Sequence, residues 1–512
     1  MKGAIHNISQ SAYSRKDSYE EFTHAKSWIH SSIPDFIGIS IDSRTIKKKQ
    51  LFLAFPGALS DGRAFIHSAI RSGCSGVLWE PSNFEWNNEW SVPNLPVKNL
   101  RAIAGLLASD FFGNQSEKLR TIGVTGTNGK TSVTRWLADA LTELGNTCGS
   151  IGTLGGNLAG KQVRLEGLDG VTTPNSIVIQ EMLQTFVMRN AKSAAIEVSS
   201  HALSQDRVNG VRFEVGVFTN LSRDHLDYHR DMESYGAAKA RLFEYPAMRC
   251  AVINVDDEFG RLLANQLISR QMHVLTYGFD TDADFCAKNL QLSPSSTSFE
   301  LRAHSKTYTF EVPISGDFNV SNLLAVIAVL SYAGYSIDKI KGALKKTKAP
   351  AGRLQIVEHD QKPLVYVDYA HTPDALEKVL RTLQKIKQPK SRIICVFGAG
   401  GDRDKEKRAL MGERVRALSD VAIVTNDNPR SENPSTIASQ IVGANPDDFL
   451  IELDRMRAIQ RAVDLSKNED LILVAGKGHE QYQEIKGERF KFSDIDAVKV
   501  ALARRVKNST DK

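Results

Sequence analysis

The stretch GVTGTNGKTS, residues 123–132, constrains this chain more than any other. It lies between LRTIGVTG, an apolar run that reads as a strand, and KTSVTRWLADALTELG. In the latter, apolar residues recur at i, i+3/i+4 spacing and Gly145 closes the run, so it reads as a helix. Glycines in such a strand–turn–helix let consecutive N–H groups point at phosphate oxygens. Lys130 adds a point charge, Thr131 a hydroxyl able to ligate magnesium, and the helix N-terminus its dipole. The spacing GxxxxGK[ST] would need Gly where Val124 stands, so the match is to the shorter form TGxxGKT. Gly126, Thr127, Asn128, Gly129, Lys130, Thr131 and Ser132 are the expected nucleotide cradle. The turn alone leaves hydrolase, kinase, ligase and switch open.

A chain of 512 residues is too long for one hydrophobic core, and two to four domains are expected. Short apolar runs between about 35 and 100 (FIGISI, LFLAF, GVLWE) read as a small α/β domain, with SNFEWNNEWSVPNLP as a loop within it. RAIAGLLASDFFG reads as a helix and NQSEK as a linker. Strand, turn and helix then alternate from Leu119: SAAIEV, VGVFTN, CAVINV and HVLTYG read as buried strands, SFELRA and TYTFEVPI as an antiparallel hairpin, and NVSNLLAVIAVLSYAG as a helix. That alternation predicts a mostly parallel, doubly wound sheet. A third unit begins near Ala349 with the strands LVYVD, RIICVFG, VAIVT and LILVAG, an open Rossmann-like α/β sheet whose ligands belong beyond the carboxyl ends of its strands. The fold class is thus α/β, in three domains.

Composition narrows the partners. The chain is 41% hydrophobic and 24% charged, with a formal net charge of +6 spread along its length. No Lys/Arg stripe with interleaved aromatics suggests nucleic acid, so small anionic substrates fit better. The five cysteines are scattered and form no CxxC, which predicts neither zinc nor disulfides and fits a reducing cytoplasm. No apolar signal core and no run of about 18 apolar residues occurs, so a cytoplasmic protein without a membrane span is expected. The first 25 or so residues are polar and are expected to be partly disordered.

Two further strand ends carry chemistry. AIEVSSHALSQDRV puts Glu197 near a strand terminus, where an unpaired buried carboxylate would be costly, and FTNLSRDHLDYH puts His225 just beyond another. Hard magnesium prefers oxygen ligands and keeps several waters, so one carboxylate and Thr131 are a typical set.

TGTNGKTS, TTPN, EVSSHALSQDR, FTNLSRDHLDYH, YGAAKARLF, INVDD, GDFNVSNLLA, DYAHTPDAL, GDRDKEKR, DNPR and GKGHE occur in this order. They resemble the Mur ligases of peptidoglycan synthesis, from about Asp42 to about Asp496. The resemblance implies a UDP-binding domain (1–116), a central ATP-binding domain (117–348) and a C-terminal amino-acid-binding domain (349–512). It implies magnesium ligands at Glu197 and His225, beside Thr131, and a carbamylated lysine (N6-carboxylysine) at Lys239. A carbamate turns a cation into an anion able to lie beside magnesium, and its formation needs a neutral amine. Lys130, Glu197, His225 and Lys239 form the implied catalytic set.

By the same resemblance, Ser43 contacts the UDP portion. Thr172, Thr173, Ser199, Gln205 and Arg207 hold the muramoyl dipeptide, and Asn319, Asn322, Arg353 and Asp368 complete the ATP site. Arg403, Asp427, Asn428, Pro429, Arg430, Gly476 and Glu480 are the implied diaminopimelate site. Gln355 departs from the glutamate common in the family and is given no role. The implied activity is ATP-dependent amide ligation through an acyl phosphate, adding meso-diaminopimelate to a UDP-N-acetylmuramoyl dipeptide, by a monomer that needs magnesium. The alternatives are a lysine-adding relative and a non-catalytic nucleotide-binding relative.

Overall fold

In the computed structural model, residues 11–58, 60–168, 170–279, 282–359 and 363–510 are described. The first sheet holds β1 (Gly38–Ser40), β2 (Gln50–Ala54), β3 (Gly76–Trp79) and β4 (Asn94–Pro96), all parallel and in that order. The helices Ser11–Ser32 and Leu100–Phe111 share a core with it: Ala25, Ile29 and Ile33 pack with Ile103, Ala104, Leu107 and the inner faces of β2 and β3.

The helix Ser11–Ser32 occupies the later part of the stretch expected to be partly disordered; residues 1–10 lie outside the described residues. Its apolar stripe is sparse, and Phe22, Ala25 and Ile29 acquire their value only once the Leu100–Phe111 helix is there to receive them. The NQSEK segment is likewise no free linker. Gln115–Glu117 forms a helical turn with Gln115 and Ser116 buried, and the Ser116 hydroxyl accepts from the Arg212 backbone at 3.2 Å. Within the stretch read as a loop, β4 adds a strand, and Trp86 stacks on Trp79 with centroids 5.7 Å apart.

The central sheet has eleven strands: β5 (Arg120–Thr125), β6 (Cys148–Gly152), β7 (Gly155–Leu158), β8 (Lys161–Val163), β9 (Ser193–Glu197), β10 (Val215–Phe218), β11 (Cys250–Asn254), β12 (His273–Gly278), β13 (Phe285–Leu292), β14 (Thr297–Ala303) and β15 (Lys306–Val312). Their order is β15-β14-β13-β12-β11-β10-β5-β9-β6-β7-β8. The run from β13 to β6 is parallel, and antiparallel hairpins extend both ends. The β14–β15 hairpin matches the sequence expectation; β6, β7, β8 and β13 do not appear in it. Helices Lys130–Glu143 and Asp317–Tyr332 cover one face, and Ser176–Met188 and Glu258–Ser269 the other.

The third sheet holds β16 (Gln355–Ile356), β17 (Leu364–Asp368), β18 (Ile393–Phe397), β19 (Val421–Val424), β20 (Leu450–Ile451) and β21 (Leu471–Ala475), in the order β16-β17-β21-β18-β19-β20. Only β16 runs antiparallel. Both faces of β17, β18 and β21 are covered, which is why these strands read as continuous apolar runs. A separate hairpin, β22 (Tyr482–Ile485) and β23 (Glu488–Lys491), follows β21.

Candidate active site

The carboxyl ends of the central parallel strands converge on the phosphate-binding turn. The pairing of β5 sets Val124 opposite Glu197 on one side and Thr125 opposite Phe218 on the other. The segments that leave these strands therefore meet at one edge. Asn220 clamps the turn: its carboxamide accepts from the Asn128 backbone N–H at 3.0 Å and donates to the Asn128 carbonyl at 3.1 Å. Gly129 caps the Lys130–Glu143 helix at φ +87°, and a Cβ there would stand 2.2 Å from the Asn322 side chain. No other residue fits that position without strain. Lys130 donates to the carbonyls of Gly126 and Thr127, each at 2.8 Å.

Glu197 is the hub. It is 2% exposed, and its carboxylate accepts from the Thr131 hydroxyl at 3.0 Å, the Thr153 N–H at 2.9 Å and the Thr153 hydroxyl at 3.0 Å. Burial raises its pKa, opposed by the charges of Lys130 and Arg353 and by these hydrogen bonds. From the third domain, Arg353 donates to the Thr131 hydroxyl at 3.0 Å and lies over the Tyr369 ring. These residues, with Thr172, Asp224, His225, Asn322, Asp368 and His371, line a cavity of about 510 Å³ between the second and third sheets.

Among the described residues, no group of three or more His, Cys, Asp or Glu could hold a metal ion. An oxygen-preferring ion that retains water needs fewer protein ligands. The Thr131 hydroxyl and Glu197 carboxylate, in contact on the cavity wall, are a donor set that fits magnesium rather than a softer metal in a full protein cage. His225 lines the same cavity, at φ +55° and 3.4 Å from Asp224. Burial pushes its imidazole well down, against the pull of Asp224, so the ring is neutral.

Lys239 is 1% exposed, at the end of the helix Met232–Ala240. It donates to the Gly126 carbonyl at 2.7 Å and sits 4.2 Å from the Tyr235 ring centroid. Burial, reinforced by the charge of Lys130 and opposed by Asp224, lowers its pKa well below that of an ordinary lysine. The lysine singled out by the resemblance is thus interior.

The residues expected to hold the dipeptide form one network behind Glu197. The Thr173 hydroxyl donates to the Glu197 carbonyl at 2.8 Å and meets the Ser199 hydroxyl at 3.2 Å. Arg207 donates to the Thr173 carbonyl at 2.9 Å and, through two nitrogens, to the Gln205 side chain. Asn319 instead turns into its own helix start, donating to the Ser315 carbonyl at 2.8 Å, and does not line the cavity with Asn322. Ser43 follows β1 and lines neither this cavity nor a second one of about 940 Å³ between the first two sheets, walled by Phe22, Glu80, Arg101, Asp206 and Arg241.

At the third sheet, β19 leads to Asp427–Arg430 and its neighbour across β18, β21, leads to Gly476–Glu480. Asn428 donates to Glu480 at 2.9 Å. Lys477, fully buried, donates to both Asn428 (2.9 Å) and Glu480 (2.8 Å). Asp427 presents Oδ2 buried and without a hydrogen-bond partner, against Gly476. Arg430 donates to the Gly401 carbonyl at 2.8 Å, and Arg403 is exposed on the same loop. Pro429 accepts from the Glu432 N–H at 3.0 Å. Buried Arg408 grips the Glu432 carboxylate with two nitrogens, at 2.8 and 2.9 Å, and the Gly400 carbonyl at 3.0 Å. That clamp joins the loops carrying Arg403 and Arg430.

Three family descriptions match: "Mur ligase family, catalytic domain" over residues 35–112, "Mur ligase middle domain" over 124–330, and "Mur ligase, glutamate ligase domain" over 352–478. The UDP-N-acetylmuramoyl-L-alanyl-D-glutamate–2,6-diaminopimelate ligase of Neisseria meningitidis serogroup A is 45% identical over 467 residues, 91% of this chain and 94% of its own. The chain belongs to the Mur ligase family. The ligase of the same name from Pseudomonas putida is 42% identical over 489 residues, covering 94% of this chain and 97% of its own. A solved structure of a ligase with that name superposes with a TM-score of 0.65 at 34% identity, over 92% of this chain and 95% of that one.

Several residues of this Mur ligase that shape the site escape the sequence reading. Asn220 and Asp224 lie inside FTNLSRDH, so position in a strand-end motif was the available signal. Arg408 and Lys477 likewise lie inside GDRDKEKR and GKGHE, whereas Thr153 gave no signal, because it acts by holding the Glu197 carboxylate.

Proposed function

We propose that this enzyme is an ATP-dependent amide ligase that joins meso-diaminopimelate to UDP-N-acetylmuramoyl-L-alanyl-D-glutamate, in the cytoplasmic stage of peptidoglycan precursor synthesis. The observation that carries this reading is the amino-acid site: cationic Arg403 and Arg430 and anionic Glu480 gather at strand ends of the domain that also lends Arg353 to the nucleotide turn. A substrate with a zwitterionic centre at each end needs both signs of charge. The names of the relatives point the same way.

The γ-phosphoryl group of ATP passes to the terminal carboxylate of the D-glutamate residue, giving an acyl phosphate and ADP. The amine of diaminopimelate attacks the acyl carbon, the C–N bond forms, and inorganic phosphate leaves with the proton passed to solvent. The backbone N–H groups of residues 126–131 cradle the phosphates, while Lys130 and Arg353 offset charge on the transferring group. Arg207, with Gln205 and Thr173 behind it, orients the muramoyl peptide. Magnesium, bound by Thr131 and Glu197 with His225 alongside, would supply further charge neutralisation at the phosphates. Burial shifts the Lys239 amine toward its neutral form, which with carbon dioxide would give a carbamate and a proton. The third domain lines one side of the cavity, and its closure would shield the acyl phosphate from water.

The test is phosphate release with ATP, magnesium and the UDP-dipeptide, with product mass as readout. Release should depend on diaminopimelate and yield the tripeptide mass. Equal release with no amino acid, with lysine or with diaminopimelate would end the ligase reading, and lysine-dependent product would favour the lysine-adding relative.

A further inference from the structure

Thr153 and Leu154 join β6 to β7, with Gly152 paired to Gly155 across the turn. The parallel register of β6 on β9 sets Ile151 opposite Ile196, so this turn stands beside Glu197. The carboxylate is confined there: a Cβ on Gly152 would come within 2.1 Å of its Oε1. The Thr153 N–H donates to that same oxygen at 2.9 Å, while the Thr153 hydroxyl stands 3.0 Å from Oε2. The same hydroxyl lies 3.2 Å from that of Thr172, and both threonines line the cavity of about 510 Å³. Thr153 therefore touches the carboxylate suited to magnesium on one side and a threonine expected to hold the dipeptide on the other.

A hydroxyl has one hydrogen to give. Two oxygens here compete for that of Thr153, Oε2 of Glu197 and the Thr172 hydroxyl. A carboxylate is the stronger acceptor, because charge-assisted hydrogen bonds are stronger than neutral ones. Thr172 must then donate to Thr153 to keep their contact, and its own hydrogen is held inside the protein. A divalent cation on Oε2 reverses the preference, since an oxygen bound to a dication is a poorer acceptor. The Thr131 hydroxyl shares that oxygen at 3.0 Å, so Oε2 is also where a cation held by Thr131 and Glu197 would sit. The Thr153 hydrogen then turns to Thr172, whose own hydrogen is released toward the dipeptide.

Resting on the magnesium and dipeptide assignments above, we propose that Thr153 is a positioning residue whose hydroxyl couples the divalent cation to the UDP-muramoyl dipeptide, so that the dipeptide strengthens cation binding. Its backbone N–H fixes the Glu197 carboxylate, and its hydroxyl carries the coupling.

The test uses manganese(II) in place of magnesium, with binding to the full chain read by electron paramagnetic resonance and no turnover needed. Manganese is titrated with and without the UDP-dipeptide. Wild-type affinity should rise about 5- to 20-fold when the dipeptide is present. Thr153→Val keeps the backbone N–H and removes the hydroxyl, and its rise should shrink below about 2-fold. Thr153→Ser keeps the hydroxyl and should retain most of the rise, with thermal melting of both variants close to wild type. A Thr153→Val protein with the wild-type rise overturns the proposal, as does a wild-type protein whose manganese affinity ignores the dipeptide. A Thr153→Ser protein that behaves like Thr153→Val also overturns it, because the residue then acts through packing rather than its hydroxyl. Those outcomes leave the ligase reading standing. A wild-type protein that binds no manganese, with or without the dipeptide, overturns the Thr131 and Glu197 cation assignment itself.

Discussion

Lys239 and Glu197 carry opposite charges in water, and both have been moved into the interior beside the phosphate-binding turn. Each is shifted toward its neutral form by burial, and each is tied to the turn, Glu197 through the Thr131 hydroxyl and Lys239 through the Gly126 carbonyl. An amine whose pKa is lowered is neutral, and so nucleophilic, at pH values where an exposed lysine is still protonated. Protein incubated with ¹³C-bicarbonate near neutral pH should thus show a carbamate carbon signal that Lys239→Ala lacks. Activity should fall about 10- to 100-fold or more in that variant, with no recovery on adding bicarbonate. Retained activity would remove the carbamate. Glu197 was legible from the sequence because a carboxylate ending an apolar strand demands a partner. Lys239 was not, because nothing in YGAAKARLF says which face of its helix is buried, and only the resemblance singled it out.

The apolar strands with helical partners were readable at the scale of elements, since a buried parallel strand is a continuous hydrophobic run. The elements that escaped lean on partners distant in sequence. The β6–β8 segments are glycine-rich and short, and β13 alternates too weakly to stand out. The helix Ser11–Ser32 has a sparse stripe, but its buried Ile29 sits in the core with Leu51, Ile103 and Leu107. Ile29→Ala should destabilise the N-terminal domain by about 2–4 kcal/mol. The measurement is the urea midpoint for proteolytic cleavage within residues 35–112, and an unchanged midpoint would mean the helix is not needed by the sheet. At the other end of the chain, the β22–β23 hairpin reads as a polar stretch, since its purpose lies in what it hydrogen-bonds rather than in what it buries.

At the scale of the whole molecule, the third sheet docks on the second through side chains that meet the nucleotide turn. Asp374 accepts from both Asn128 and Ser222, each at 3.0 Å, Arg223 pairs with Glu406 at 2.6 Å, and Lys385 pairs with Asp317. The two ion pairs are partly exposed and contribute about 0–1 kcal/mol apiece; apolar packing of Leu292 and Phe318 on the third sheet's core and the part-buried hydrogen bonds of Asp374 add to them. Asp374→Ala removes two at once. It should enlarge the radius of gyration seen by small-angle scattering and raise the KM for ATP about 3- to 10-fold while circular dichroism is unchanged. Unaltered scattering would show that docking does not depend on this residue. The bond from Arg353 to Thr131 has a wider consequence. The domain that supplies Arg353 also carries the proposed amino-acid site, so the two ligands would draw on one conformational equilibrium. If the amino acid favours the docked form by some factor, nucleotide affinity rises with it, and thermodynamic reciprocity requires the nucleotide to tighten amino-acid binding by the same factor. The order in which the substrates arrive would then be a property of a single arginine reaching across the domain boundary.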